Sequence, residues 1–138
     1  LKEYWKYKSI YLEAFFWSIS IRFCMLFVPF KKYKHWFGKM QNTFEGEYSE
    51  NQIVYAKKIK NKVLAICNNT PWESKCLVQA LSCKKILEKR GIKTTLYLGV
   101  NTEDKEKGMQ AHAWLKMGEL VLTGGPIHNQ YKVVNFFS

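Results

Sequence analysis

Aspartate is almost missing from this chain: Asp104 stands alone beside ten glutamates. Any mechanism that requires an aspartate therefore has a single candidate. Arginine is nearly as scarce, with Arg22 and Arg90 set against twenty lysines, although the formal net charge is +11. Forked contacts to bases and phosphates favour guanidinium groups, so scattered lysines argue against nucleic-acid recognition and leave an acidic or peptide partner open. Histidine occurs only at 35, 112 and 128, and none forms a close sequence pair with another histidine or with a cysteine. A structural zinc site has no support from that spacing, and neither metal nor cofactor is expected. The four cysteines, at 24, 67, 76 and 83, include no Cys-x-x-Cys pair and read as free thiols of a reducing compartment.

What is present fits one globular domain: 138 residues, 47% hydrophobic and 24% charged. The longest apolar stretch, Ala14 to Val28, is interrupted by one charge, Arg22, and is flanked by Lys2, Lys6, Lys8 and by Lys31, Lys32, Lys34. It falls short of the roughly 20 residues that span a bilayer, and no small-residue cleavage pattern follows it. A core helix or an interfacial one is expected, ended by Pro29, with lysines and aromatics suited to a membrane surface or a partner groove. The polar stretch Gln41 to Ser49 reads as a linker, dividing an N-terminal helical arm, 1–46, from a domain over 47–138.

Ser49 with Gln52 predicts a capping box, and Ile53, Val54, Ala56, Ile59, Val63, Leu64 and Ile66 continue at helical spacing until Asn68-Asn69-Thr70-Pro71. A further helix is predicted from Ser74, the expected N-cap, to Gly91, the expected left-handed C-cap. Cys76 then falls in its first turn, where unpaired amide groups carry partial positive charge that favours a thiolate. Cys83, two turns on, lacks that field and reads as core, as do Cys24 and Cys67.

Beyond Gly91 the periodicity changes to that of strands: Thr94 to Val100, Met109 to Met117, Leu120 to Thr123 after a hairpin tip at Gly118-Glu119, and Tyr131 to Phe137. His112 lies on the second of these. A cysteine at a helix start facing a histidine on a neighbouring strand lets imidazole take the thiol proton and return it to a leaving amine.

These residues resemble the lasso-peptide leader peptidases, the microcin-processing cysteine proteases of transglutaminase-like (papain-like) fold. The run Cys76 to Val100 looks like their nucleophile helix and next strand, and Ala111-His112-Ala113-Trp114 looks like their histidine strand. Leu122-Thr123-Gly124-Gly125 followed by Tyr131-Lys132-Val133-Val134-Asn135-Phe136 is similar to the closing segment of their short members. The resemblance implies an α+β fold, a nucleophile helix packed on an antiparallel sheet, and hydrolysis of the bond joining leader to core in a ribosomally made precursor. It implies Cys76 as nucleophile and His112 as general base and acid. Trp72 and Trp114 are candidate walls of the substrate cleft, though each could equally be aromatic core. The implied companions are the precursor peptide, a small recognition protein that holds the leader as an added strand, and the lasso cyclase. The implied location is cytoplasmic, with the arm at the inner face of the membrane as its one route to lipid contact.

The sequence departs from the family at the third catalytic position, where better-known members carry an aspartate on the strand after the histidine. Here Leu122-Thr123-Gly124-Gly125 holds no carboxylate. The hairpin arithmetic sets His112 opposite Gly124 or Gly125, so the Thr123 hydroxyl is the candidate orienter, and a backbone carbonyl near Gly124 would serve as well. Glu119 and Asp104 are weaker candidates, since Glu119 sits at the tip, roughly 15 to 20 Å away at 3.3 Å per residue, and Asp104 lies in a loop. A scaffold of the same fold, binding the recognition protein and cyclase without catalysis, is the competing expectation.

Overall fold

A computed structural model of the chain describes residues 2–44, 46–70, 75–103, 105–125 and 130–138, with the backbone alone described for 2–7. The order is α1 (Lys2–Phe27), α2 (Phe30–Tyr33), a 3-10 turn (Lys34–Phe37), α3 (Glu50–Cys67), α4 (Cys76–Lys89) and strands β1 (Thr95–Asn101), β2 (Gln110–Met117), β3 (Leu120–Thr123) and β4 (Lys132–Phe137). This is an α+β fold in which helices cover one face of a four-stranded antiparallel sheet ordered β3-β2-β1-β4.

The first helix begins well before the apolar run that predicted it. Ile10, Ala14, Ser18 and Ile21, spaced by four, four and three residues, are fully buried and form the stripe that packs on α3 and α4. The expected arm thus shares one core with the rest of the chain. Glu13 fixes its register, with Arg90 Nη2 at 2.6 Å and Lys89 Nζ at 2.9 Å. Burial pulls the Glu13 carboxyl upward, but the bonds and charges of Arg90 and Lys89 outweigh it and hold the group below the usual carboxylate range.

Helix α3 opens with the anticipated capping box: Gln52 N–H donates to Ser49 Oγ at 3.1 Å, and Ser49 N–H donates to Gln52 Oε1 at 2.9 Å. Helix α4 is the central one, buried on most sides through Val78, Ala80 to Lys84, Ile86 and Leu87. Burial pushes the Cys83 thiol up to about 12. Lys84 is the unexpected member of this core; its ammonium donates to Thr94 O at 3.0 Å and pairs with Glu88 at 3.0 Å. Burial draws its pKa below the ordinary lysine value, against the pull of Glu88. Gly91, at φ +76°, ends the helix in the left-handed conformation that a Cβ disfavours.

Candidate functional site

Helix α4 begins at Cys76, with Lys75 at the N-cap position and no side-chain capping bond. The thiol is therefore the first helical residue, one position nearer the free amides than the sequence implied. Ser74, the expected cap, lies outside the described residues, as do Trp72 and Asp104.

The path of the chain sets the level of His112. Ile92 N–H donates to Leu87 O, and Lys84 reaches Thr94 O, so the chain doubles back and β1 runs along α4 in the opposite sense. From Lys84 to Cys76 the helix rises about 12 Å at 1.5 Å per residue, which a strand covers in about four residues. That brings β1 to Leu98 and Gly99, and Gly99 pairs with His112 of β2. The start of α4 and the His112 end of β2 thus lie at one end of the domain.

The alternation along β2 decides which way each side chain points. Ala113, Leu115 and Met117 belong to the core cluster shared with the helices, and Cys76 packs against that cluster. His112 and Trp114 project from the other face, where the Trp114 indole stacks on Tyr97 (5.8 Å between centroids, 7° between planes) and His112 lies over Trp114 at 5.9 Å. Among the described residues no hydrogen bond joins the Cys76 thiol to His112.

The imidazole is held by backbone. His112 Nε2 lies 2.9 Å from Gly124 O. A carbonyl oxygen can only accept, so Nε2 carries the proton and Nδ1 of the neutral ring carries the lone pair, the arrangement a general base needs. Thr123, the orienter expected from sequence, does not make this bond. A register shift between Leu115 and Lys116 sets Thr123 opposite Leu115, on the helix-facing side, and among the described residues its buried hydroxyl has no hydrogen-bond partner. Glu119 is fully exposed at the tip, 3.9 Å from Lys116. Trp114 is only 3% exposed, so it is a floor beneath His112 and not the wall of an open cleft.

Two features here were missed in sequence. Tyr131 packs its ring 4.9 Å from the imidazole, and glycine is required on both sides of Trp114. A Cβ at Gly99 would come within 2.8 Å of the indole, and one at Gly124 (φ +92°) would run into Trp114 Cβ. A cleft of about 350 Å³ between Val100–Glu103 and Gln130–Lys132 opens beside Tyr131. A larger one, about 740 Å³, lies by the later half of α4, against Lys84, Glu88 and Lys93, away from Cys76.

The family model described as transglutaminase-like superfamily matches residues 24–135, most of the chain and both Cys76 and His112. The chain belongs to the transglutaminase-like superfamily. No curated protein and no solved structure matches it. Within this transglutaminase-like chain the family match begins inside α1, at Cys24, and runs through all four strands to Asn135 in β4.

Proposed function

We propose that this chain is a cysteine peptidase that removes the leader from a ribosomally made lasso-peptide precursor. The observation that carries the reading is the His112 Nε2 to Gly124 O bond, because it leaves Nδ1 as the basic nitrogen at the end of the domain where Cys76 begins α4. In the proposed reaction Cys76 Sγ attacks the scissile carbonyl and its proton passes to His112 Nδ1. The carbonyl oxygen, now negative, is met by backbone amides at the start of α4. Collapse of that intermediate breaks the C–N bond, and His112 returns the proton to the departing amine. Water, deprotonated by the same nitrogen, then releases the acyl group from sulfur. The cleft beside Tyr131 offers room for an extended peptide on the way to this end, and a recognition protein holding the leader, with a cyclase to receive the core, would be its companions.

The second reading, a non-catalytic scaffold of the same fold, is favoured by one observation: Cys76 packs on the helix side of the sheet and His112 projects from the other. The test mixes the protein with a lasso precursor and its leader-binding partner and follows products by mass spectrometry. Cleavage that falls at least about 100-fold in both Cys76→Ala and His112→Ala, with thermal stability retained, supports the peptidase. Absence of cleavage by the parent returns the chain to the scaffold reading, and full cleavage by either variant overturns the roles given to Cys76 and His112.

A further inference from the structure

Helix α1 is apolar on two opposite sides, and the core uses only one. Ile10, Ala14 and Ile21 face α3 and α4 with no exposure, whereas Leu12, Phe16, Ile19, Phe23, Leu26 and Phe27 are 43% to 71% exposed. Their spacing of four, three, four, three and one residues makes a continuous stripe along the far side of the helix. Single exposed apolar residues are ordinary on a protein surface, but a stripe of this length marks an interaction face. Lys8–Phe27 is long and apolar enough to cross a membrane, and 22% of that window is buried.

The buried side decides how the helix can meet lipid. The Ile10, Ala14 and Ile21 stripe and the Glu13 bonds to Arg90 and Lys89 hold α1 lengthwise against α3 and α4, so it cannot span a bilayer in this fold. It can lie in the interface plane. The ends carry the matching charge: Lys8 at the start, and exposed Lys31, Lys32 and Lys34 just past Phe27 and Phe30. A shallow cleft of about 430 Å³ between α1 and the 3-10 turn, lined by Ile19, Ser20, Phe23, Cys24 and Trp36, adds apolar room next to the stripe. A second copy is the poorer occupant, since two such faces would bring lysine clusters together in a protein of formal charge +11.

We propose that the outer face of α1 docks this protein on an anionic lipid surface, with Phe16, Phe23 and Phe27 at the acyl boundary and Lys31, Lys32 and Lys34 among the headgroups. This stands apart from the peptidase reading, and its test needs no activity. The intact chain is sedimented with phosphatidylglycerol vesicles and with phosphatidylcholine vesicles. Binding should be at least about tenfold stronger to the anionic set and weaken with salt. The double variant Phe16→Ser/Phe23→Ser should lose at least about tenfold in partitioning with unchanged circular dichroism and Tm. A Lys31→Gln/Lys32→Gln/Lys34→Gln variant should lose the preference for the anionic lipid. Absence of vesicle binding by the parent, or undiminished binding by the phenylalanine variant, overturns the proposal. A dimer in sedimentation velocity that the same variant dissolves assigns the face to a second copy and overturns it too.

Discussion

His112 and Gly124 are joined by a bond in which the imidazole donates from Nε2 to a main-chain carbonyl at 2.9 Å. A carbonyl fixes ring orientation and tautomer as a carboxylate does, but it would bring no full negative charge to the imidazolium that the proposed reaction requires. Of the two tasks usually combined in one aspartate, orientation and charge compensation, this bond performs only the first.

Replacement of the neighbouring hydroxyl checks that assignment. If the chain cleaves leaders as proposed, Thr123→Val should leave that cleavage within about twofold and leave Tm unchanged or raised, because among the described residues the buried hydroxyl has no partner and valine keeps its shape. A tenfold loss of turnover would return Thr123 to the role of orienter.

Gly124→Ala should behave oppositely. The residue has φ +92° and an added Cβ meets Trp114, so a cost of about 2 to 4 kcal/mol in unfolding free energy is expected, measured by urea titration. A variant as stable as the parent would mean that the β3 end can shift away from Trp114.

The cysteines should separate in alkylation. Cys67 and Cys83 are buried, and burial pushes Cys83 up to about 12, so iodoacetamide at neutral pH should modify Cys83 only on unfolding. Cys76, part-exposed at the first helical position, should react first, with Cys24 behind it. Peptide mapping at short times gives the order, and a Cys83 rate equal to that of Cys76 would contradict it.

Glu13→Gln should lower stability by about 1 to 2 kcal/mol at neutral pH, since it removes a two-pronged, half-buried pair with Arg90. The contribution comes from a carboxyl held below its ordinary 4.5, so it is complete above that pH and fades as the pH falls through the folded value. Melting curves of parent and variant should therefore converge in acid, and a gap that persists there would assign the loss to packing alone.

Local chemistry was readable wherever neighbours in sequence decide it. The Ser49–Gln52 box, the Gly91 cap and the Gly118-Glu119 turn each need only a few adjacent residues, and each is present. Three other features depend on partners far along the chain. Thr123 changes faces because of one register shift between strands, which no spacing rule announces. Lys84 is a core residue because Thr94 O and Glu88 receive its ammonium, although its residue type suggests surface. Tyr131 meets His112 only through the return of β4 to the far edge of the sheet. The apolar run over 14–28 revealed a helix but not its length, since the helix continues toward Lys2 through residues whose mixed character carries no clear period.

Trp114 closes off position 124 as well as forming a floor. Its indole fills the space above Gly99, and its Cβ stands where a side chain at position 124 would begin. A carboxylate beside His112 could not enter at 124 by substitution alone, because its Cβ would meet Trp114 Cβ and Cα and Ala113 O, atoms that remain with any residue but glycine at 114. The main chain at the end of β3 would have to move instead, and that movement would carry away the Gly124 carbonyl that now holds His112.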